Sequence, residues 1–289
     1  MNQIFKKYPF ISYSVLIVII YLVDKNPYSI FISGNELTFF SILFSCLTIE
    51  FFIQKAKNGE EIYMRPIAAM KAMEEAVGRA TEMGSSVLYV PGISGLDEID
   101  TISGVIVLGH VAGMTAEYEA DLHVPCCVPI VMEAAKESCK EAYLKKGRPD
   151  LYNEDMVHYV TDDQFAYAAG VNGIMLREKP AAVFYQGKFY AESLLLAETG
   201  SSVGAIQIAG TGSSSQIPFF VTACDYTFIG EEFFTASAYL SQKPELLGSI
   251  KGQDIVKALV MASMLITLVM NGLFQAGWVD YDILTLFDN

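Results

Sequence analysis

Residues 205–225 read AIQIAGTGSSSQIPFFVTACD, and the interpretation of this stretch decides what kind of domain the chain builds. An apolar run, 205–209, meets a glycine/serine loop, 210–215. A second apolar run, 218–224, then ends at the acidic Asp225. Only eight residues, 210–217, separate the two runs, too few for the crossover that parallel strands require. The spacing therefore predicts a β-hairpin with the glycine/serine loop at its tip.

Around this stretch, strand-like and helix-like segments alternate. On its N-terminal side, 156–160 reads as a strand. A helix over 161–176 follows, with Thr161 and Gln164 suited to a capping box. Next come a strand over 181–185 and a helix over 189–199 stopped by Gly200. Further upstream, Pro66 opens and Gly84 closes a helix over 66–83, and a strand over 87–90 ends at Pro91-Gly92. Residues 101–120 have a β-branched centre, but their length and acidic lead-in (Asp97, Glu98, Asp100) favour a buried helix. A strand over 122–128, a helix over 130–146 and a polar linker over 147–154 follow, the linker being a candidate internal boundary. Beyond the opening stretch, 230–241 reads as a helix. The alternation predicts an α/β domain with a mostly parallel sheet and one β-hairpin.

This domain does not fill the chain of 289 residues. Hydrophobic residues make up 52%, high enough to place part of it in lipid. Residues 8–23 are uncharged and follow Lys6 and Lys7, but as a helix they span only ~24 Å against a bilayer core of ~30 Å. A basic start and a short apolar core also suit a signal peptide. No small-residue cleavage site follows, and a second apolar stretch, 37–53, arrives at once. A third, 255–278, ends at Trp278, a residue suited to the membrane interface. The expected organisation is two transmembrane helices within 1–57, an α/β domain over 58–254, a third transmembrane helix over 255–278 and an acidic tail over 279–289. Lys6, Lys7, Lys55, Lys57 and Arg65 flank one side of these spans. By the positive-inside rule the N-terminus and the domain are cytoplasmic and the tail lies opposite.

The formal charge of −14 belongs to the domain. Residues 58–254 hold 13 basic and 27 acidic side chains, 13 − 27 = −14, and the remainder sums to zero. Such a surface repels nucleic acid. Five cysteines without CxxC spacing fit a reducing compartment. Glycine and alanine stud two helices, at Gly104, Gly109, Ala112 and Gly113 and at Ala166, Ala168, Ala169, Gly170 and Gly173. Apolar on most sides, these helices call for covering by further copies of the chain.

Three groups of residues carry a resemblance. EAVGRATEMG at 75–84, REKP at 177–180, and 205–210 with Pro218-Phe219-Phe220 and Gly230-Glu231-Glu232 resemble an uncharacterised prokaryotic family catalogued as a membrane-associated domain of unknown function. The resemblance implies a bacterial or archaeal source. It implies no activity, substrate or catalytic residue.

Candidate chemistry is sparse. The loop residues Gly210, Thr211, Gly212 and Ser213 offer backbone N–H groups and hydroxyls that suit a phosphate. The loop matches neither a Walker loop nor the GxGxxG fingerprint, and a hairpin tip lacks a helix dipole. Asp162 and Asp225 stand at expected strand ends, where α/β sheets gather ligands, though acids also favour helix N-termini. His110, His123 and His158 show no zinc-like spacing. No catalytic residue, metal site or cofactor is assigned. The expectation is a membrane-anchored homo-oligomeric scaffold whose partners are itself and the lipid bilayer, not nucleic acid. The alternative is a membrane-tethered enzyme or small-ligand sensor using a strand-end crevice around 210–215, Asp162 and Asp225.

Overall fold

The computed structural model describes residues 36–60 and 67–276. The chain divides into two compact units, Arg65–Ser241 and the pair of segments Met1–Met64 and Gln242–Asn289. The first apolar stretch (8–23), the loop after it, Trp278 and the acidic tail lie outside the described residues.

The unit Arg65–Ser241 opens with α2 (Ala68–Met83), which ends on Gly84 in the left-handed conformation. Six strands follow: β1 (Val87–Gly92), β2 (Leu122–Cys126), β3 (Val157–Tyr159), β4 (Ala182–Lys188), β5 (Ile206–Thr211) and β6 (Tyr226–Ile229). All neighbouring pairs are parallel and the order is β3-β2-β1-β4-β5-β6. Continuous apolar runs make this possible, since a parallel sheet is covered on both faces. All of β1 and six of the seven residues of β4 are buried. One face carries α2, α3 (Ile99–Tyr118), α4 (Pro129–Lys145) and α8 (Glu231–Ser241). The other carries α5 (Gln164–Glu178), α6 (Glu192–Ser202) and α7 (Ile217–Ala223). The linker over 147–154 forms short 3-10 turns inside this unit, at Pro149–Leu151 and Glu154–Met156.

The α/β class and the parallel sheet agree with the sequence. The hairpin does not. Residues 218–224, read as its second strand, fall on α7, with Pro218 in the first turn and Cys224 capping its end. Phe220 is buried in this helix and stacks on Tyr185 at 5.7 Å. The next strand is β6, which pairs in parallel with β5. Counting from Thr211 to Tyr226 leaves 14 residues for the connection, enough for a crossover containing one short helix.

Helix α3 is buried, and its small residues explain how. A Cβ at Gly104 would overlap the Gln186 carbonyl oxygen of β4, and one at Gly109 would lie 2.7 Å from Ser138 Oγ of α4. In α5, a Cβ at Gly170 would meet Val160 at 2.7 Å. For α3 the covering comes from within the unit, whereas Ala166 and Ala169 of α5 stay exposed.

The other unit pairs α1 (Glu36–Lys57) with α9 (Pro244–Gln275). Gly248 and Gly252, one turn apart on α9, meet the backbone of α1 at Phe52, Ile53 and Ile49. Lys57 and Glu245 form an ion pair at 3.4 Å, and the Glu50 carboxylate accepts a hydrogen bond from Gln54. Three described helices are long and apolar enough to cross a membrane: Thr38–Lys57, Pro244–Gln275 and Ile99–Tyr118, the last being the buried α3.

Candidate functional site

In a doubly wound sheet, ligands gather outside the carboxyl ends of the strands where the strand order reverses, here between β1 and β4. Both strands end in glycine-dependent backbone. Gly92 has φ +80° and Gly187 φ +148°. A Cβ on Gly92 would lie 2.5 Å from the Lys188 carbonyl oxygen, and one on Gly187 would overlap that of Pro91. The two strand ends thus approach each other closely, backbone against backbone.

The loop 210–215 lies at this same edge, because β5 leads into α7. Several of its polar groups are satisfied within the chain. The Gly212 N–H donates to the Asp100 carboxylate in the first turn of α3, and the Ser213 N–H to Thr211 Oγ1 at 3.2 Å. Ser213 and Ser215 hydroxyls are 3.2 Å apart, and the Ser213 carbonyl accepts the N–H groups of Gln216 and Ile217. Gln216 is held in turn by Ser193 Oγ at 2.7 Å. Beside it, the buried Glu192 carboxylate at the start of α6 accepts from the Tyr190 N–H at 2.9 Å and from Gln164 Nε2 at 2.5 Å. Lys188 at the end of β4 pairs with Glu98 at 2.6 Å, a hydrogen bond that pushes the lysine pKa up.

The three sequence candidates do not converge. Asp162 follows β3, four strands from β5, a separation of ~19 Å at the usual strand spacing. Its neighbour Asp163 caps α5, accepting from the Ala166 N–H at 2.8 Å. Asp225 follows α7 rather than a strand, which puts it at the amino edge of the sheet. There its carboxylate accepts the Gln207 N–H at 2.8 Å, and its own N–H donates to the Gln207 carbonyl. From Gln207 to Thr211 is four residues along the strand, or ~13 Å. Asp225 is thus a structural clasp between β5 and β6, and Gly210, Thr211, Gly212 and Ser213 stand without it. Asp100 and Glu192, which do touch the loop and its neighbours, carry only a weak sequence signal, that of acids in a first helical turn.

Residues 27–281 match the family described as Domain of unknown function (DUF6754). The chain belongs to this family. The match covers the α/β unit together with α1 and α9. No curated protein matches the chain.

The strand order of this DUF6754 protein is that of dinucleotide-binding folds, in which the cofactor meets the residues of the first strand–helix loop. The residues present here do not fit. The β1–α3 loop reads GISGLDEID over 92–100, without the three glycines of the fingerprint and with three acids where a pyrophosphate would approach. Lys188, the cation at the end of β4, is paired with Glu98. Among the described residues no group of three His, Cys, Asp or Glu side chains comes together as a metal site.

A cleft of about 330 Å³ opens at the opposite, amino edge, lined by Glu119, Asp121, His123, Tyr143 and Met156 among others. Glu119 is already paired with Arg148 at 2.6 Å, and burial pushes the Tyr143 phenol up. This cleft is remote from the edge where such folds place chemistry.

Proposed function

We propose that this DUF6754 protein is a membrane-anchored assembly protein whose acidic α/β unit associates with further copies of itself. The reading is carried by one observation at the β6 edge. Phe219, Val221, Tyr226 and Ile229 on α7 and β6 are each 41–51% exposed, within eleven residues of one another in sequence. An edge strand with apolar side chains is a template for pairing. Charge supports a second copy as the occupant: the 32 residues 199–230 carry Asp225 alone, and Asp225 is engaged with Gln207. Two units that repel elsewhere can meet there.

The four side chains offer ~300–400 Å² of apolar surface, taking ~150–250 Å² for a full aromatic. A stable interface needs ~800 Å² per partner, so confinement to one bilayer has to raise the effective concentration. Helices α1 and α9 supply that confinement. The basic residues flanking the spans favour a cytoplasmic unit in the cell membrane, with the C-terminus opposite. The rival reading, a tethered enzyme or sensor at 210–215, Asp162 and Asp225, loses the convergence it needs.

The test is the mass of the detergent-solubilised full chain by light scattering, alone and with Val221→Asp plus Ile229→Asp. Wild type should be oligomeric at micromolar concentration and the double variant monomeric with an unchanged Tm. A monomeric wild type sinks the proposal.

A further inference from the structure

The misfit of a dinucleotide has a physical counterpart inside the chain. The β5–α7 loop of a doubly wound fold presents backbone N–H groups suited to an anion. Here the acceptor for Gly212 is a carboxylate of the chain itself, Asp100, which is 8% exposed and lies 112 residues away in sequence. The contact depends on glycine: a Cβ at residue 212 would stand 2.8 Å from Asp100 Oδ1 and 2.6 Å from Phe234 Cζ, the ring that covers the loop from α8. Asp100 also sits in the first turn of a 20-residue helix, where a negative charge is favoured. Glu98 engages Lys188 two residues earlier, and Gly92 and Gly187 close the backbone between β1 and β4.

We propose that Asp100 is the resident anion of the strand-end crevice: its carboxylate occupies the position that a ligand's oxyanion takes in folds of this order, and it fastens the β5–α7 loop to α3. The crevice is a strut, not a binding site. This inference is independent of self-association at the β6 edge, which the variants below leave untouched.

Formate tests it, because Asp100→Ala removes a carboxylate and formate returns one. The Tm of the detergent-solubilised full chain is measured in sodium formate against sodium chloride at equal ionic strength. Losing a hydrogen bond to a charged acceptor should lower the Tm of Asp100→Ala by about 3–8 °C. Formate should restore a saturable part of it, while wild type and Asp100→Asn, which keeps an acceptor, do not respond. Asp100→Gly with acetate repeats the experiment if the alanine variant does not fold. Wild type is also titrated with inorganic phosphate, ATP and NAD, and its Tm should stay constant. A saturable rise of the wild-type Tm with any of these overturns the proposal. So does a folded, destabilised Asp100→Ala that ignores formate.

Discussion

The closest helix approach in the membrane-type unit gives a prediction whose sign separates two effects. A Cβ on Gly248 would lie 2.5 Å from Ile53 Cα and 2.6 Å from the Phe52 carbonyl oxygen. One on Gly252 would lie 2.5 Å from Ile49 Cα. Carbon atoms normally sit ~3.5–4.0 Å apart, so alanine at either position forces α1 and α9 apart by ~1–1.5 Å. Overpacking of this kind costs ~1–3 kcal/mol. Helix propensity acts the other way, since alanine exceeds glycine by up to ~1 kcal/mol. The net expectation is a loss of ~0–2 kcal/mol for Gly248→Ala or Gly252→Ala. Because one separation of the helices accommodates both methyls, the double variant should lose less than the sum of the overpacking costs. Gly272 is the internal control: nothing lies within 4 Å of its virtual Cβ, so Gly272→Ala should be neutral or stabilising by up to ~1 kcal/mol. Unfolding in mixed SDS and mild-detergent micelles, followed by the single tryptophan, Trp278, measures these differences. If Gly248→Ala and Gly252→Ala stabilise the protein as Gly272→Ala does, the close approach is not real.

Three further outcomes follow from the α/β unit. Burial lowers the His110 pKa below 6.5, with Lys146 adding to the effect and Glu74 opposing it. The folded state then binds fewer protons than the unfolded one, so stability is complete above about pH 6.5 and falls as the pH drops through the lowered value. The Tm should decline from pH 7 to pH 5, with a shallower slope in His110→Asn; an equal slope in both assigns the acid sensitivity elsewhere. Burial pushes the thiols of Cys126, Cys139 and Cys224 up to about 12 and that of Cys127 to about 11. All four should resist iodoacetamide at pH 8 until the chain is denatured, and rapid native labelling of Cys126, Cys127 or Cys139 seen by peptide mass mapping contradicts their burial. Asp225→Ala should cost ~1–3 kcal/mol by leaving the Gln207 N–H without its acceptor, and Asp225→Asn less, in thermal melts. Equal losses in the two variants show that charge, not the acceptor, matters there.

The sheet was legible in the sequence because its strands are buried on both faces and therefore read as unbroken apolar runs. The segment 217–223 misled for a related reason. IPFFVTA is rich in β-formers, and a run of seven residues is too short for helical periodicity to declare itself. That one element carried the error further. With 218–224 as a strand, Asp225 stood at a carboxyl end beside the glycine/serine loop; with a helix there, Asp225 moves to the other edge. The true neighbour of the loop, Asp100, was invisible for a different reason. No local pattern links residues 100 and 212, and only the order β1-β4-β5 brings their loops to one edge.

The same distinction between composition and packing bears on α3 and α9, both apolar enough to cross a membrane. In α3, two-thirds of the most apolar window is buried inside the unit, and Tyr89 donates from β1 to the Gly104 carbonyl at 2.5 Å. In α9, none of the corresponding window is buried, and Leu259, Met264, Leu265 and Leu268 stand out from the helix. Glycine marks a close approach in both: Gly104 and Gly109 of α3 serve the domain core, and Gly248 and Gly252 of α9 serve the pairing with α1. Neither set needs a second copy of the chain. The small residues of α3 and α9 are therefore no argument for assembly, and the case for it rests on the apolar, nearly uncharged edge at β6.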